Sequence, residues 1–167
     1  MWGEAGFSTI GKFLHSDNLG SLRDMPVWRM KGTFSRARRR ASGVTVLLVE
    51  DDLFLAMAVE DTLVGMGAVV VGVCHTLDAA MARADADDFA VAVLDFSLGP
   101  NSVTPLARRL ARRSVPFIFH TGMSRSEPSL MEWRDFQIVE KPASPHTLAA
   151  AIKSVLAREP ARRQGRR

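Results

Sequence analysis

Four unbroken apolar runs, VTVLLV (44–49), AVVVGV (68–73), FAVAVLD (89–95) and PFIFHT (116–121), recur along the chain with helix-like text between them. Strands with one wet face alternate apolar and polar residues, whereas continuous β-branched runs mark strands covered on both faces, as in parallel sheets. Parallel strands need crossovers, and the intervening text supplies them. Leu55, Val59, Leu63 and Met66 fall at helical spacing, and Gly65 and Gly67 punctuate the end. Residues 77–86 (LDAAMARADA) read as an alanine-rich helix capped by Thr76, and Thr104 to Arg113 as a helix with a basic face. FQIVE (136–140) adds a short fifth strand. Ser144 and Pro145 then supply an N-cap and an N1 proline for a last helix over 145–157, with Leu148, Ile152, Val155 and Leu156 inward. Gly122, Pro128 and mixed polarity allow only a short helix within 122–135. The alternation predicts an α/β fold, a five-stranded parallel sheet wound on both faces.

The 167 residues suit one domain with tails. Residues 44–157 hold 9 Lys/Arg against 14 Asp/Glu, residues 1–43 hold 8 against 3, and residues 158–167 hold 5 against 1. The sequence therefore divides into a basic, mostly irregular extension (1–43), an acidic body (44–157) and a basic tail (158–167). A start at Met25 or Met30 would remove much of the extension. The runs SRARRR and REPARRQGRR read more simply as solvated tails than as a nucleic-acid interface. A basic-tailed nucleic-acid binder is the rival, and it requires a salt-steep affinity that vanishes when both ends are removed. No apolar run is long enough to cross a bilayer, and the first residues lack a basic start followed by an apolar stretch, so a cytoplasmic protein is expected. The single cysteine, Cys74, lies in an apolar run and reads as a small buried hydrophobe.

In wound α/β sheets ligands collect at the carboxyl ends of the strands. Glu50, Asp51 and Asp52 follow the first strand, Asp95 the third, Thr121 the fourth and Lys141 the fifth. The stretch AVLDFSLGP ends a buried strand on a carboxylate, which is costly in a core unless the charge is paired or used. Carboxylates converging on one rim raise one another's pKa unless a cation sits among them, and Mg2+ answers this with its preference for oxygen ligands. A lysine and a hydroxyl facing that ion suit a phosphoryl group, and a carboxylate can itself be the nucleophile. The sequence holds neither GxxxxGK nor GxGxxG, and Ser97 stands where an aspartate-nucleophile phosphatase wants a second acid.

The acid cluster of LLVEDD, the aspartate of AVLDFSLGP, the threonine of FIFHTG and the lysine of VEKP, in this order, resemble the receiver domain of two-component response regulators over 44–157. VPFIFHTGMS, with the proline of SVTPLARRL, is similar to the FATGUY subfamily of single-domain receivers. Phe119, Thr121 and Gly122 match it, whereas His120 and Met123 depart from it. The resemblance implies a flavodoxin-like sheet with strand order 2-1-3-4-5. It implies that Asp95 accepts a phosphoryl group from a histidine kinase or a histidine phosphotransfer protein. It implies that Glu50, Asp51, Asp95 and the backbone carbonyl of Ser97 hold Mg2+, and that Thr121 and Lys141 contact the phosphoryl group. Asp52 is left as the helix-entry residue.

His120 reads as structural, because strand alternation points it away from the side of Thr121. Ile138 occupies the position where most receivers carry an inward-turning aromatic, and Ala143 one where a phenylalanine often follows Lys-Pro. Signal would then pass through Thr121, the 122–135 segment and the fifth strand by another repacking. Ten residues after Ala157 are too few for an attached effector domain. The expected output is therefore binding of a downstream protein, or drainage of phosphoryl groups from a shared kinase, rather than turnover as an enzyme. The alternative within the family is an adaptor that works without phosphorylation.

Overall fold

The computed structural model describes residues 43–86 and 88–164, with side chains through Arg158. The basic N-terminal extension, Gly43 excepted, and residues 165–167 of the C-terminal tail lie outside the described residues. In chain order the elements are β1 (Thr45–Val49), α1 (Leu53–Gly65), β2 (Val69–Cys74), α2 (Leu77–Ala84), β3 (Val91–Leu94), β4 (Ser97–Leu98), β5 (Asn101–Ser102), α3 (Thr104–Arg112), β6 (Phe117–Thr121), a 3-10 turn (Pro128–Trp133), β7 (Ile138–Glu140) and α4 (Pro145–Gln164).

The main sheet has the order β2-β1-β3-β6-β7, with every pair parallel. With the β4–β5 hairpin set aside, this is the expected 2-1-3-4-5. The strand order reverses between β1 and β3, so the crevice beyond their carboxyl ends is the natural ligand position.

The residues alternate between the two faces of the sheet, and both faces are covered. Leu47, Val49, Ala92, Leu94, Phe117, Phe119 and Ile138 pack with Ala80 and Ala84 of α2, Leu106 and Leu110 of α3, and Trp133. Val46, Leu48, Val91, Val93, Ile118 and Val139 pack with Val59 and Leu63 of α1 and Leu148 and Ile152 of α4. Phe119 is the aromatic centre of the first face, edge-on to Phe96, Phe117 and Trp133 at centroid distances of 5.5, 5.4 and 5.3 Å.

Three helices open on the side chains that the sequence offers as caps. Asp52 Oδ1 accepts the Phe54 and Leu55 amides at 2.8 and 3.0 Å, Thr76 Oγ1 the Ala79 amide at 3.2 Å, and Ser144 Oγ the Thr147 amide at 3.1 Å. Cys74 is buried at the end of β2, and burial raises its thiol pKa.

Some expectations shift. Ala56 rather than Leu55 takes the inward position of α1, leaving Leu55 36% exposed. The segment 122–135 holds only a short helix, as expected, but of 3-10 type, Pro128–Trp133, with Leu130 and Trp133 buried. Helix α4 passes the expected end at 157 and continues to Gln164. It runs on through Pro160, which favours a helix end, with the helix formers Ala157, Arg158, Ala161, Arg162 and Arg163 on either side and the next glycine at Gly165. The hairpin of β4 and β5 was not expected, because two-residue strands carry no readable period.

Candidate functional site

The sheet register assembles the site. Leu48 pairs with Val93, and Val93 with Ile118. Two residues on, the side-chain period returns to the same face, so Glu50, Asp95 and His120 form one row across β1, β3 and β6. His120 pairs in turn with Val139, and Lys141 lies two residues beyond. Glu50 is 2% exposed and Asp95 8%. The Lys141 ammonium lies between them, donating to Glu50 Oε2 at 2.6 Å and to Asp95 Oδ2 at 2.7 Å.

Asp51 stands at the exposed rim. Ligand oxygens of Glu50, Asp51 and Asp95 all lie within 4.8 Å of one another. The unexpected hairpin supplies amides to these acids: Gly99 N–H donates to Asp51 Oδ2 at 2.7 Å and Ser97 N–H to Asp95 Oδ1 at 3.3 Å. Gly99 has φ +58°, a left-handed conformation that suits glycine in this tight turn. Ser97 thus meets the cluster through its amide. His75, which the sequence reading passed over, donates from Nδ1 to the Glu50 carbonyl at 2.8 Å and ties the end of β2 to the site. Asp52 is spent on capping α1 and does not join the cluster.

The electrostatics are unbalanced. Burial pushes the Glu50 carboxyl pKa up, and the Asp95 charge adds to this, while the hydrogen bond from Lys141 opposes it. Burial alone would lower the Lys141 pKa, but its hydrogen bonds to Asp95 and Glu50 outweigh that and raise it. Among the described residues the Lys141 ammonium thus pairs with two of three converging carboxylates, Glu50 and Asp95. An all-oxygen donor set with two buried members and one at the rim fits a hard divalent cation such as Mg2+, which keeps several waters, better than a metal that prefers thiolate or imidazole.

Thr121 ends β6 with 1% exposure. Its hydroxyl accepts the Met123 amide at 3.3 Å, and its carbonyl accepts the Lys141 amide at 2.8 Å, so threonine and lysine share one rung of the ladder. Met123 approaches Ser97 across the mouth, Sδ to Oγ 3.6 Å. The Lys141–Pro142 peptide bond is cis.

His120 points away from Thr121, as alternation requires, but that places it on the face of Asp95. It is 5% exposed, and neither ring nitrogen has a hydrogen-bond partner among the described residues. Burial lowers its pKa, the Lys141 charge lowers it further, and Asp95 opposes both. Ile138 is buried against the Phe119 side of the sheet.

The basic face of α3 is largely engaged within the body. Arg108 grips Glu132 through both carboxylate oxygens at 3.2 and 2.9 Å, Arg109 pairs with Asp85, and Arg113 donates to the Ala84 carbonyl. No helix among the described residues is long and apolar enough to cross a membrane.

Known structures share this architecture. SdrG from Sphingomonas melonis Fr1 is 34% identical, with a TM-score of 0.60 over 68% of this chain and 96% of SdrG. The signal receiver domain of a modulated diguanylate cyclase from Desulfovibrio desulfuricans G20 is 25% identical, with a TM-score of 0.63 over 71% of this chain and 97% of that domain. The response regulator PhyR from Brucella abortus is 26% identical, with a TM-score of 0.58 over 71% of this chain and only 50% of PhyR, so the chain spans about half of that protein. No protein-family model and no curated protein matches the chain.

Proposed function

Because the chain belongs to the response-regulator receiver family, we propose that within its signalling role it is a phosphoacceptor, with Asp95 as the acceptor and a phosphohistidine on a kinase or phosphotransfer protein as the donor. The observation that carries this reading is the Lys141 ammonium shared by Glu50 and Asp95, with Asp51 within reach at the rim. A buried carboxylate at the end of a central strand, held by a lysine that can turn to a new anion, is what phosphoryl acceptance needs.

In the step proposed, an Asp95 carboxylate oxygen attacks phosphorus, the P–N bond to the donor imidazole breaks with its electron pair going to nitrogen, and the ring, already protonated on its other nitrogen, leaves as neutral imidazole. Lys141 then pairs with the phosphoryl oxygens, and the Thr121 hydroxyl, released from Met123, donates to them. Glu50, Asp51 and Asp95, with the Ser97 carbonyl, would hold a magnesium ion, which when bound neutralises charge on the phosphoryl group. With Ile138 in place of an aromatic, the change at Thr121 spreads through the 3-10 turn and β7. The likeness of VPFIFHTGMS to single-domain receivers supports an output by protein–protein contact, or by draining phosphoryl groups from a shared kinase, in the cytoplasm.

The test is phosphoryl incorporation from a small phosphodonor, with magnesium or with a chelator. Incorporation that needs magnesium and is lost in Asp51→Asn supports the reading. Incorporation that is indifferent to the chelator contradicts the metal assignment. No incorporation by the folded protein leaves an adaptor that works without phosphate.

A further inference from the structure

Lys141 and His120 each carry a polar group that the contacts at the site leave unused. An ammonium has three N–H donors, and among the described residues Lys141 uses two of them, on Glu50 Oε2 and Asp95 Oδ2. The His120 ring is 5% exposed, and neither nitrogen has a hydrogen-bond partner among the described residues. A buried polar group left unpaired is costly and calls for an explanation.

The topology puts the two groups on one path. Neighbouring strands lie about 4.8 Å apart, and β6 stands between β7 and β3. Lys141 follows β7, yet its ammonium reaches Asp95 beyond the end of β3 and Glu50 beyond the end of β1. Its stem therefore crosses the end of β6, on the face that carries Glu50 and Asp95. The β6 residue in that row is His120, since Leu94 pairs with Phe119 and His120 with Val139. After burial, the Lys141 charge is the strongest influence on the protonation of this ring, ahead of Asp95.

Phosphoryl transfer changes what the lysine can hold. In the resting site two carboxylates pin the ammonium. As transfer proceeds it moves off Glu50 toward the phosphoryl oxygens, and one Asp95 oxygen comes to carry phosphorus. The inner side of the ammonium then lacks an acceptor, and the Lys141 side chain is only 13% exposed, so bulk water is a poor substitute. A neutral imidazole offers one acceptor nitrogen, and His120 stands where that acceptor is needed.

We propose that His120 is a positioning residue for Lys141: one ring nitrogen accepts the third ammonium hydrogen as the lysine turns from Glu50 to the incoming phosphoryl group. The inference rests on the phosphoacceptor reading. The ring thus costs stability in the resting protein and acts during transfer, so the two effects separate under mutation.

The test is the rate of phosphoryl incorporation from a small phosphodonor at saturating magnesium, followed by intact mass, for the full chain and for His120→Val and His120→Gln. Glutamine keeps a neutral acceptor on a flexible stem, and valine removes it. The rate should fall about tenfold in His120→Val, the size of one hydrogen bond to a charged group, and return to within about threefold of wild type in His120→Gln. In a Lys141→Ala background the valine substitution should change nothing further, because the group through which His120 acts is gone. A wild-type rate in folded His120→Val overturns the inference and leaves Asp95 as the acceptor. Equal slowing by valine and glutamine, or a further slowing in Lys141→Ala, overturns it too, by making the ring a packing element. No adduct on the folded wild-type protein overturns the phosphoacceptor reading itself, and this inference with it.

Discussion

Replacing His120 by valine should stabilise the protein and remove part of its sensitivity to acid. The ring is 5% exposed with both nitrogens unpartnered among the described residues, and an unsatisfied buried polar group costs about 1–3 kcal/mol. Valine gives up some packing volume but suits a β-strand. The net gain expected at neutral pH is about 1 kcal/mol, or about 4 °C or more in Tm. The sign of the pH effect follows from the lowered pKa. In the unfolded chain the imidazole takes up a proton near its ordinary value of 6.5, while in the folded protein burial and Lys141 keep it neutral to lower pH. Its contribution is thus fully present above pH 6.5 and is lost as pH falls from there toward the folded value, by up to about 1.4 kcal/mol per pH unit. The valine variant lacks this loss, and its difference from wild type isolates His120 from the titrating carboxylates. Urea unfolding at neutral pH and at about pH 5.5 measures both effects. A variant less stable than wild type at neutral pH, or an advantage that does not grow on acidification, would show that the buried imidazole is not an unpaired, neutral group.

Other perturbations separate the parts of the site. Lys141→Ala leaves Glu50 and Asp95 facing each other without a cation and should cost about 3 kcal/mol in chelator, with recovery when magnesium is added, read by thermal unfolding. Phe119→Ala empties the aromatic centre of one face and should cost about 3–5 kcal/mol in urea unfolding. Asp52→Ala removes the α1 cap and should cost about 1 kcal/mol while leaving magnesium affinity, measured by calorimetry, unchanged. A loss of affinity there would make Asp52 a ligand rather than a cap.

Much of this architecture is legible in the sequence because its signals are local. Val46 to Val49 and Val91 to Leu94 announce buried strands by themselves, and Glu50, Asp51 and Asp95 follow them directly. Caps such as Asp52, Thr76 and Ser144 act within three residues, so they too can be read from the sequence. What escaped depends on pairings distant in the chain. The place of His120 beside Asp95 is set by the Val93–Ile118 register, which strand alternation alone does not reveal. The amides that Ser97 and Gly99 offer to the acids come from a hairpin too short to show a pattern. The apolar residues of α1 fit either side of the helix, so periodicity could not say whether Leu55 or Ala56 turns inward.

The reading proposed above makes Asp95 a single magnesium-dependent phosphoryl acceptor. Intact-mass spectrometry of the full chain after incubation with a small phosphodonor and magnesium, beside Asp95→Asn, tests it most directly. One phosphoryl adduct is expected on the wild-type protein and none on the variant. An adduct that persists on folded Asp95→Asn, or its absence from both proteins, would contradict it.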